Sequence, residues 1–291
     1  MYALANTHPK RLVTAVPYGF YPETEWRDDL ELGATELATA LTEKPRPLGL
    51  PRTNPTYYLR QAASWARAYM AHQHPGDTLN LYDVSGLANY ELYRAIQRAK
   101  NPGKLAVTRA MLLHGMRRQL HAAVAQARKD PFGAGFPWNT YDTGSHLAGL
   151  SVEASEYAAL THSSRYLAWS VHWLDNLLGV NAWGVSLIIG DGTTFPHCPQ
   201  HQVANLVGSL DGSPPVLRGA LVEGPNSFAA TGFVQHMRRC PTNGIDQFRQ
   251  FNGGGAVFKD NVQSYSTVEP AIDLTASSPL AFSWQIASRH H

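Results

Sequence analysis

Apolar residues recur every three or four positions over much of the chain, and this spacing predicts helices with one apolar face. A further helix is predicted at the C-terminal end, where Ser277 and Ser278 precede Pro279, as in a hydroxyl cap followed by proline at the first helical position. Alternating strand patterns do not appear between these segments, so the sequence predicts an all-α fold of stacked helical hairpins. The six other predicted stripes run from Leu30 to Leu41, Tyr58 to Tyr69, Leu92 to Ala99, Val107 to Ala127, Leu147 to Tyr157 and Leu167 to Leu178.

Gly, Pro and Asn mark the connections between these helices. Lys44 to Pro55 contains four prolines and is predicted to be a loop. Asp83 or Ser85 can cap the third helix, and Gly179 follows the sixth.

Two connections are unusual. Asp130 to Gly144 is rich in aromatic residues for a linker, so it is predicted to be a structured loop. From Gly179 to Ser278 the helical period largely disappears, and a connection of that length indicates functional surface or a folded insertion.

Composition narrows the function. The 291 residues are 44% hydrophobic and carry a formal net charge of only +2, which gives no electrostatic footprint for nucleic acid or an anionic membrane. The expected substrate is therefore neutral, and the 7 Trp, 13 Tyr and 10 Phe residues offer flat faces of the kind that stack on sugar rings. No run of about 18 apolar residues predicts a membrane span. We expect no cofactor and no metal, because P-loop, dinucleotide-binding and nucleophile-elbow motifs do not occur.

Glu269 is the carboxylate that the pattern singles out. It lies between Val268 and Pro270, on the connection that leads into the last predicted helix. Apolar neighbours disfavour the charged form of a carboxyl and raise its pKa, as a proton donor working near neutral pH requires. The alternative is a surface Glu whose neighbours are turned away from it.

The residues around Glu269 resemble the C-terminal signature of family nine glycoside hydrolases, in which an Asp and a Tyr precede the catalytic Glu. Asp260, Tyr265 and Glu269 match it. The family holds inverting β-glucanases, mostly cellulases, built as an (α/α)6 toroid. The resemblance implies that Glu269 is the general acid and that Asp260 and Tyr265 belong to the substrate site. Val268 and Leu274 stand where the family usually has Asn and often has Tyr.

A second resemblance lies in residues 183–211, where the family has a Gly-rich turn leading to a Pro-His-His-Arg-like sequence that binds sugar. Pro199, Gln200, His201 and Gln202 stand there. The imidazole and the two amides can each hydrogen-bond a sugar hydroxyl, although the fixed charge of the Arg is lost. The alternative for His201 is a helix-start residue bonded to backbone.

Two further positions match family residues. Trp138 corresponds to a Trp that stacks on a sugar ring, and Tyr141 and His146 are near enough in sequence to join it. Asp28, beside Asp29, corresponds to an Asp near the start of a family helix. Acidic residues in a first helical turn also favour the positive end of the helix dipole, which is the alternative account of this pair.

Cys198 and Cys240 are the only cysteines, and three arrangements are open. A disulfide fits an extracellular enzyme, whereas free thiols fit a cytosolic protein. A zinc site could draw on His197, His201 and His236, since the spacing is tolerable for four ligands.

The resemblance also implies what is missing. An inverting glycosidase needs two carboxyl groups about 6.5 to 9.5 Å apart, one to protonate the leaving oxygen and one to activate water. The family's water-activating base belongs to an Asp-Ala-Gly-Asp motif that does not occur here, and the loop acids Asp142, Asp191, Asp211 and Asp260 have no matching context. Residues 12–28 resemble the middle of the family's catalytic domain. We therefore expect residues 1–291 to form one partial toroid without a separate carbohydrate-binding module.

The expected function is hydrolysis of a β-1,4-glucan by inversion, weak or lost in this chain alone for want of a base. An extracellular location is implied by the resemblance, although residues 1–11 lack the apolar segment of a signal peptide. Two alternatives are a sugar-binding remnant without activity and an all-α scaffold whose long loops bind protein.

Overall fold

The computed structural model describes residues 2–5, 7–8, 23, 25–43, 52–72, 78–207, 217–232 and 236–288. Most of the predicted loop at residues 44–55, most of residues 12–28 and Asp211 lie outside this description. The nine α-helices of the described part are α1 (Arg27–Glu43), α2 (Pro55–Met70), α3 (Ser85–Arg98), α4 (Arg109–Ala127), α5 (Thr143–Thr161), α6 (Leu167–Leu177), α7 (Gln202–Val207), α8 (Tyr265–Val268) and α9 (Ile272–Ser288). Short 3-10 helices lie at Tyr2–Leu4, Ser164–Tyr166 and Arg249–Phe251.

The apolar stripes form the helix contacts, and the predicted all-α fold is confirmed. Helix α1 packs on α2 and α3, α3 packs on α4, and α5 packs on α6 and α9. One core lies among α1, α2, α3 and the start of α4, and includes Ala34, Leu59 and Leu92. A larger core lies around α5, α6 and the long loops, and includes Leu150 and Trp173. None of the helices in the described ranges is long and apolar enough to cross a membrane.

Asp83 organises the start of α3. Its Oδ1 accepts the backbone N–H of Ser85 at 2.9 Å, and its Oδ2 accepts the hydroxyl of Tyr69 at 2.7 Å. Of the two capping candidates in the sequence, Asp83 therefore accepts an otherwise unpaired N–H of the first turn.

The predicted start of the last helix is wrong. Helix α9 begins at Ile272, so Pro279 lies inside it. Proline has no N–H to donate to the carbonyl four residues earlier, which belongs to Thr275. The hydroxyl of Ser278 donates to that carbonyl at 2.9 Å, so the serine before the proline supplies the missing hydrogen bond instead of capping the helix.

The long connection between α6 and α9 is held by isolated antiparallel bridges. They pair Ile188 with Leu221 and Val222 with Pro270. The start of α5 packs directly against this segment, because Gly144 donates its N–H to the carbonyl of Glu223 at 3.0 Å. A Cβ at position 144 would lie 2.6 Å from the carbonyl oxygen of Val222, so only glycine permits this approach.

Candidate active site

A cleft of about 690 Å³ opens where five segments of the chain meet. They are Tyr82 before α3, the residues before α5, Gln200 before α7, the residues after the Val222 bridge, and α8 with Glu269 after it. This volume is in the range of small-molecule sites. The lining residues are Tyr82, Asn139, Thr140, Tyr141, Asp142, Gln200, Glu223, Asn226, Ser227, Phe228, Tyr265, Ser266 and Glu269.

The backbone bridge explains why Glu269 faces the cleft. Val222 pairs antiparallel with Pro270, and Glu223 donates its N–H to the carbonyl of Glu269 at 3.0 Å. Successive side chains of an extended segment point to opposite faces. Val222 and Pro270 are buried in the interior, so Glu223 and Glu269 are both directed to the cleft, where Glu269 is half-buried.

Glu223 is paired with a second carboxyl. Asp142 donates its backbone N–H to Oε2 of Glu223 at 3.1 Å, and the two carboxyl groups are hydrogen-bonded to each other. Only 7% of Glu223 and 2% of Asp142 is exposed. Asp142 adopts a left-handed conformation, with φ of 51°, which an aspartate tolerates better than most residues.

The surroundings of this pair favour the protonated form of its carboxyls. Burial raises the pKa of both carboxyls, as the first cause in each case. Their mutual hydrogen bond raises the pKa of Glu223 further and lowers that of Asp142, and the negative charge of Glu269 also raises the pKa of Glu223. The two carboxyls therefore titrate as a unit, and the pKa of each lies above the ordinary value of a carboxyl.

Aromatic side chains form the walls of the cleft. Tyr141, Phe228 and Tyr265 are 55%, 50% and 39% exposed, which is unusual for rings of this size. Phe228 and Tyr265 meet edge to face at 6.4 Å, and Tyr82 and Tyr141 at 6.1 Å. The exposed parts of these rings are apolar surfaces in the cleft.

Amide side chains complete the lining. Gln200 is mostly buried, and its backbone N–H bonds to the carbonyl of Val268 at 3.0 Å, which places it beside Glu269. Asn226 donates through its Nδ2 to the carbonyl of Ser266 at 3.0 Å. Carboxyl, amide and aromatic groups on one concave surface are the set that recognises a neutral, hydroxyl-rich ligand.

A family model described as glycosyl hydrolase family 9 matches residues 1–282. The chain belongs to glycosyl hydrolase family 9. The solved structures that resemble it support the same fold, although the sequence identities are low. No curated protein sequence matches the chain.

Three solved structures show the extent of the likeness. The cellulase Cel9M of C. cellulolyticum shares 19% identity at a TM-score of 0.64, over 95% of this chain and 54% of that one. The catalytic domain of CelT from Clostridium thermocellum shares 20% sequence identity at a TM-score of 0.64, and the match covers 97% of this chain and 53% of that one. The endoglucanase of the termite Nasutitermes takasagoensis shares 20% sequence identity at a TM-score of 0.63, and the match covers 93% of this chain and 53% of that one. The chain thus spans about half the length of these structures, and the prediction of a partial (α/α)6 toroid is confirmed.

The family resemblance places Glu269, Tyr265 and Gln200 in one cleft, but it misplaces Trp138. That side chain is 7% exposed and packs edge to face on Trp183 at 6.0 Å, within the core. The predicted platform for a sugar ring is therefore covered by protein. Tyr141 lines the cleft, as expected. His146 does not, because its ring is buried and stacks on Phe136 with 3.6 Å between the ring centroids. Burial lowers the pKa of His146 to about 3.

His201 and Gln202 also lie away from the family 9 cleft. Nδ1 of His201 accepts the N–H of Ala204 at 3.3 Å, so the imidazole caps α7, which is the alternative that the sequence left open. His201 lines a separate groove with Arg218 and Pro270. Gln202 is exposed at the first position of α7.

Asp260 has a structural position. Its carboxylate accepts the backbone N–H groups of His197 at 2.9 Å and Cys198 at 2.8 Å, deep in the protein. Cys198 and Cys240 form a disulfide, so neither free thiols nor a zinc site with these cysteines applies. Asp260 thereby fixes the loop that carries the disulfide and does not line the cleft. The residues that the structure describes include no group of three metal-ligating side chains placed to hold an ion.

Asp28 lies in the first turn of α1, buried among other acids, and is not among the residues that line the cleft. Its Oδ2 accepts the N–H of Val84 at 2.7 Å. Burial, followed by the charge of Asp83, raises its pKa to about 8. Asp28, expected in the substrate site from the resemblance, is thus not among the residues that line this cleft, and its hydrogen bond links α1 to the start of α3.

Sequence reasoning missed Glu223, Asn226 and Phe228. Glu223 carries the same local signal as Glu269, since it follows a valine and precedes a turn that contains a proline, in the string V-E-G-P. Asp142 was noted as a loop acid, but only the fold brings it against a residue 81 positions away.

Proposed function

We propose that the cleft binds a β-1,4-glucan chain and that Glu269 is the general acid that protonates the glycosidic oxygen. The observation that carries this proposal is a half-buried Glu269 in an aromatic-lined cleft of a family 9 fold. A carboxyl that lines such a cleft is placed where a general acid can reach the oxygen of a bound sugar.

The lining suits a neutral sugar polymer. The exposed faces of Tyr141, Phe228 and Tyr265 can stack on pyranose rings, and Asn139 and Gln200 can bond hydroxyl groups in both directions. The Cel9M structure solved in complex with cellobiose belongs to a protein of the same fold, which supports a gluco-oligosaccharide as the ligand class here.

The proposed reaction is hydrolysis with inversion at the anomeric carbon. Glu269 gives its proton to the leaving oxygen while a water attacks from the opposite face of the sugar. The leaving chain departs as a neutral alcohol, and the attacking water must lose a proton to a second carboxyl group.

A variant of Glu269 tests the acid role. Glu269→Gln keeps the size of the side chain and removes its proton, so kcat/KM on cellopentaose should fall by roughly 10²- to 10⁴-fold, as for loss of a general acid. The Kd of cellopentaose, measured by calorimetry, should stay within about twofold. Glu36→Gln, on the exposed surface of α1, is the matched control and should leave both quantities unchanged.

The second candidate is a sugar-binding protein without hydrolysis, which is favoured by the lack of an Asp-Ala-Gly-Asp motif in the chain. Binding of cellopentaose without release of new reducing ends would support it. Lack of any binding by the native chain would contradict both candidates.

A further inference from the structure

The net charge of the chain is small because two unlike parts cancel. Residues 52–129 contain 12 Lys and Arg but only three Asp and Glu, whereas the rest of the chain contains 12 and 19. Of the two acids that the structure describes in this range, Asp83 is buried and Glu91 pairs with Arg94 at 2.7 Å. The surface formed by α2, α4 and the loop between α3 and α4 is therefore basic.

The cations of α2 and α4 lie on the sides of these helices that face away from the core. On α2, Arg60 and Arg67 are both exposed and are seven residues apart. Seven residues make about two turns, so the two arginines lie on one side of the helix, about 10 Å apart along its axis. The exposed side of α4 is basic in the same way, and it carries His114, Arg117, Arg118 and His121.

The loop between α3 and α4 extends this surface. A Cβ at Gly103 would lie 3.0 Å from Nη2 of Arg60, so the loop and its lysines lie against α2. Arg60, Arg67 and Lys104 make no ion pair with any residue that the structure describes. Clustered like charges destabilise a compact fold, so such a surface indicates a partner of opposite charge. We define the basic face as Arg60, Arg67, Lys100, Lys104, Arg117 and Arg118.

A groove of about 390 Å³ lies between α2 and α4 within the basic face. Exposed Arg67, His114 and Arg118 line it together with half-buried Met70 and Met111. This volume is at the low end of the range for small-molecule sites, so the groove can hold a segment of a single chain and not a double helix. The groove offers cations beside adaptable apolar side chains.

The chemistry of this surface favours one class of polyanion. In the described part of the chain, the exposed large apolar side chains all lie outside residues 52–129. The basic face therefore offers no ring on which nucleic-acid bases could stack and no apolar side chain to insert into a membrane. Guanidinium groups bind carboxylates through two parallel hydrogen bonds, and Met70 and Met111 can contact the C–H face of a sugar ring. A polymer of uronic acids presents both groups in a single chain.

We propose that the basic face binds an acidic polysaccharide, with a carboxylated pyranose ring in the groove between α2 and α4, at a site separate from the glucan cleft. The six residues of the basic face are not among those that line the cleft. The choice of a sugar over other carboxylated polymers rests in part on the proposed function. An acidic polysaccharide mixed with a neutral glucan would raise the effective concentration of the glucan at the cleft.

The test measures binding of the full chain to polygalacturonate, which carries a carboxylate on each sugar. A triple variant with Arg60→Gln, Arg67→Gln and Lys104→Gln removes three cations of the basic face and keeps side chains that favour helices. Its affinity for polygalacturonate at low salt should fall by about tenfold or more, because three exposed charge contacts are lost.

The matched control removes the same amount of charge elsewhere. Arg165, Arg238 and Arg249 are exposed and lie outside the basic face. Replacing these three together by Gln should leave the affinity for polygalacturonate within about twofold of the native value. Equal losses in the two triple variants would mean that only net charge matters, and would overturn the inference.

Measurements on the native chain need no variant, so a misfolded triple variant does not prevent the test. An increase in NaCl from about 50 to about 200 mM should weaken polygalacturonate binding by roughly tenfold, because charged contacts are screened and release counterions. Saturating cellopentaose should not displace polygalacturonate, since the two ligands occupy separate sites. Displacement would place the acidic polymer in the cleft and contradict the inference.

Other polyanions decide the class of partner. Polyglutamate, duplex DNA and vesicles that contain phosphatidylserine should each bind the native chain more weakly than polygalacturonate at the same salt concentration. Tighter binding of any of them would assign the basic face to an acidic polypeptide, a nucleic acid or a membrane instead. A native chain that binds cellopentaose but not polygalacturonate overturns this inference and leaves the proposed function standing. A chain that binds polygalacturonate but not cellopentaose supports the basic face and removes the proposed function.

Discussion

Two groups of buried carboxyls can be compared in this molecule. The cleft acids are Asp142, Glu223 and Glu269, and the inter-helix acids are Asp28, Glu31, Asp83 and Glu153, which belong to α1, α5 and the start of α3. Burial is the first cause of the raised pKa of Asp28, Glu31, Glu153, Asp142 and Glu223.

The difference between the two groups lies in access to solvent. Glu31 and Glu153 are fully buried, and their carboxylate oxygens have no hydrogen-bond partner in the described part of the chain. Glu223 and Glu269 line an open cleft. A raised pKa therefore marks a functional site only where a substrate can reach the group, and elsewhere it makes stability depend on pH.

The largest expected effect is on the stability of the native chain. A folded-state pKa above the unfolded value means that the folded protein holds protons that the unfolded chain releases. The free energy of unfolding should then fall as pH rises from about 4 towards about 8, the pKa of Asp28, by up to about 1.4 kcal/mol per pH unit from that carboxyl, and the other raised carboxyls change it in the same direction. Urea unfolding at pH 5, 6.5 and 8 measures it. Constant or rising stability over this range would contradict the account.

The inter-helix acids can be neutralised one at a time. Glu153→Gln resembles the protonated acid and adds no charge, so it should remove up to about 1.4 kcal/mol per pH unit from the slope and stabilise the chain at pH 8. Glu36→Gln, an exposed position, should leave the slope unchanged. Cellopentaose binding should be the same in all three proteins; a loss of binding in Glu153→Gln would show that the two groups are coupled.

The smallest expected effect is in the cleft wall. Tyr141→Ala removes an exposed ring face, and we expect cellopentaose binding to weaken by about 0.5 to 1.5 kcal/mol, or roughly 2- to 13-fold. Phe251→Ala removes a ring of similar exposure outside the cleft lining and serves as control. Equal affinities of the two variants for cellopentaose would mean that the exposed ring of Tyr141 has no part in binding. The free energy of unfolding should change little in either variant.

The helices could be predicted from the sequence because their apolar periods are local. The start of α9 could not, because Ser278 and Pro279 satisfy the rules for a helix start and only the packed structure shows Ser278 replacing the hydrogen bond that Pro279 lacks. A Ser-Pro pair is thus compatible both with the start of a helix and with a position inside one, because the serine hydroxyl can donate the hydrogen bond that the proline lacks.

The site was predictable only in part. Glu269, Tyr265 and Gln200 reach the cleft, since they lie on or beside the turn between α8 and α9. Trp138 and Asp260 matched the motif, but the fold uses one as core and the other as an acceptor for backbone N–H groups. The contact between Asp142 and Glu223 joins residues 81 positions apart, and no local pattern encodes it.

The most direct measurement of the central claim is a crystal structure of Glu269→Gln with cellopentaose bound. The account predicts a glycosidic oxygen within hydrogen-bond distance of the amide introduced at position 269, with sugar rings against Tyr141, Phe228 or Tyr265. A sugar chain bound in the groove of His201 and Arg218, with the amide at position 269 facing only water, would contradict it.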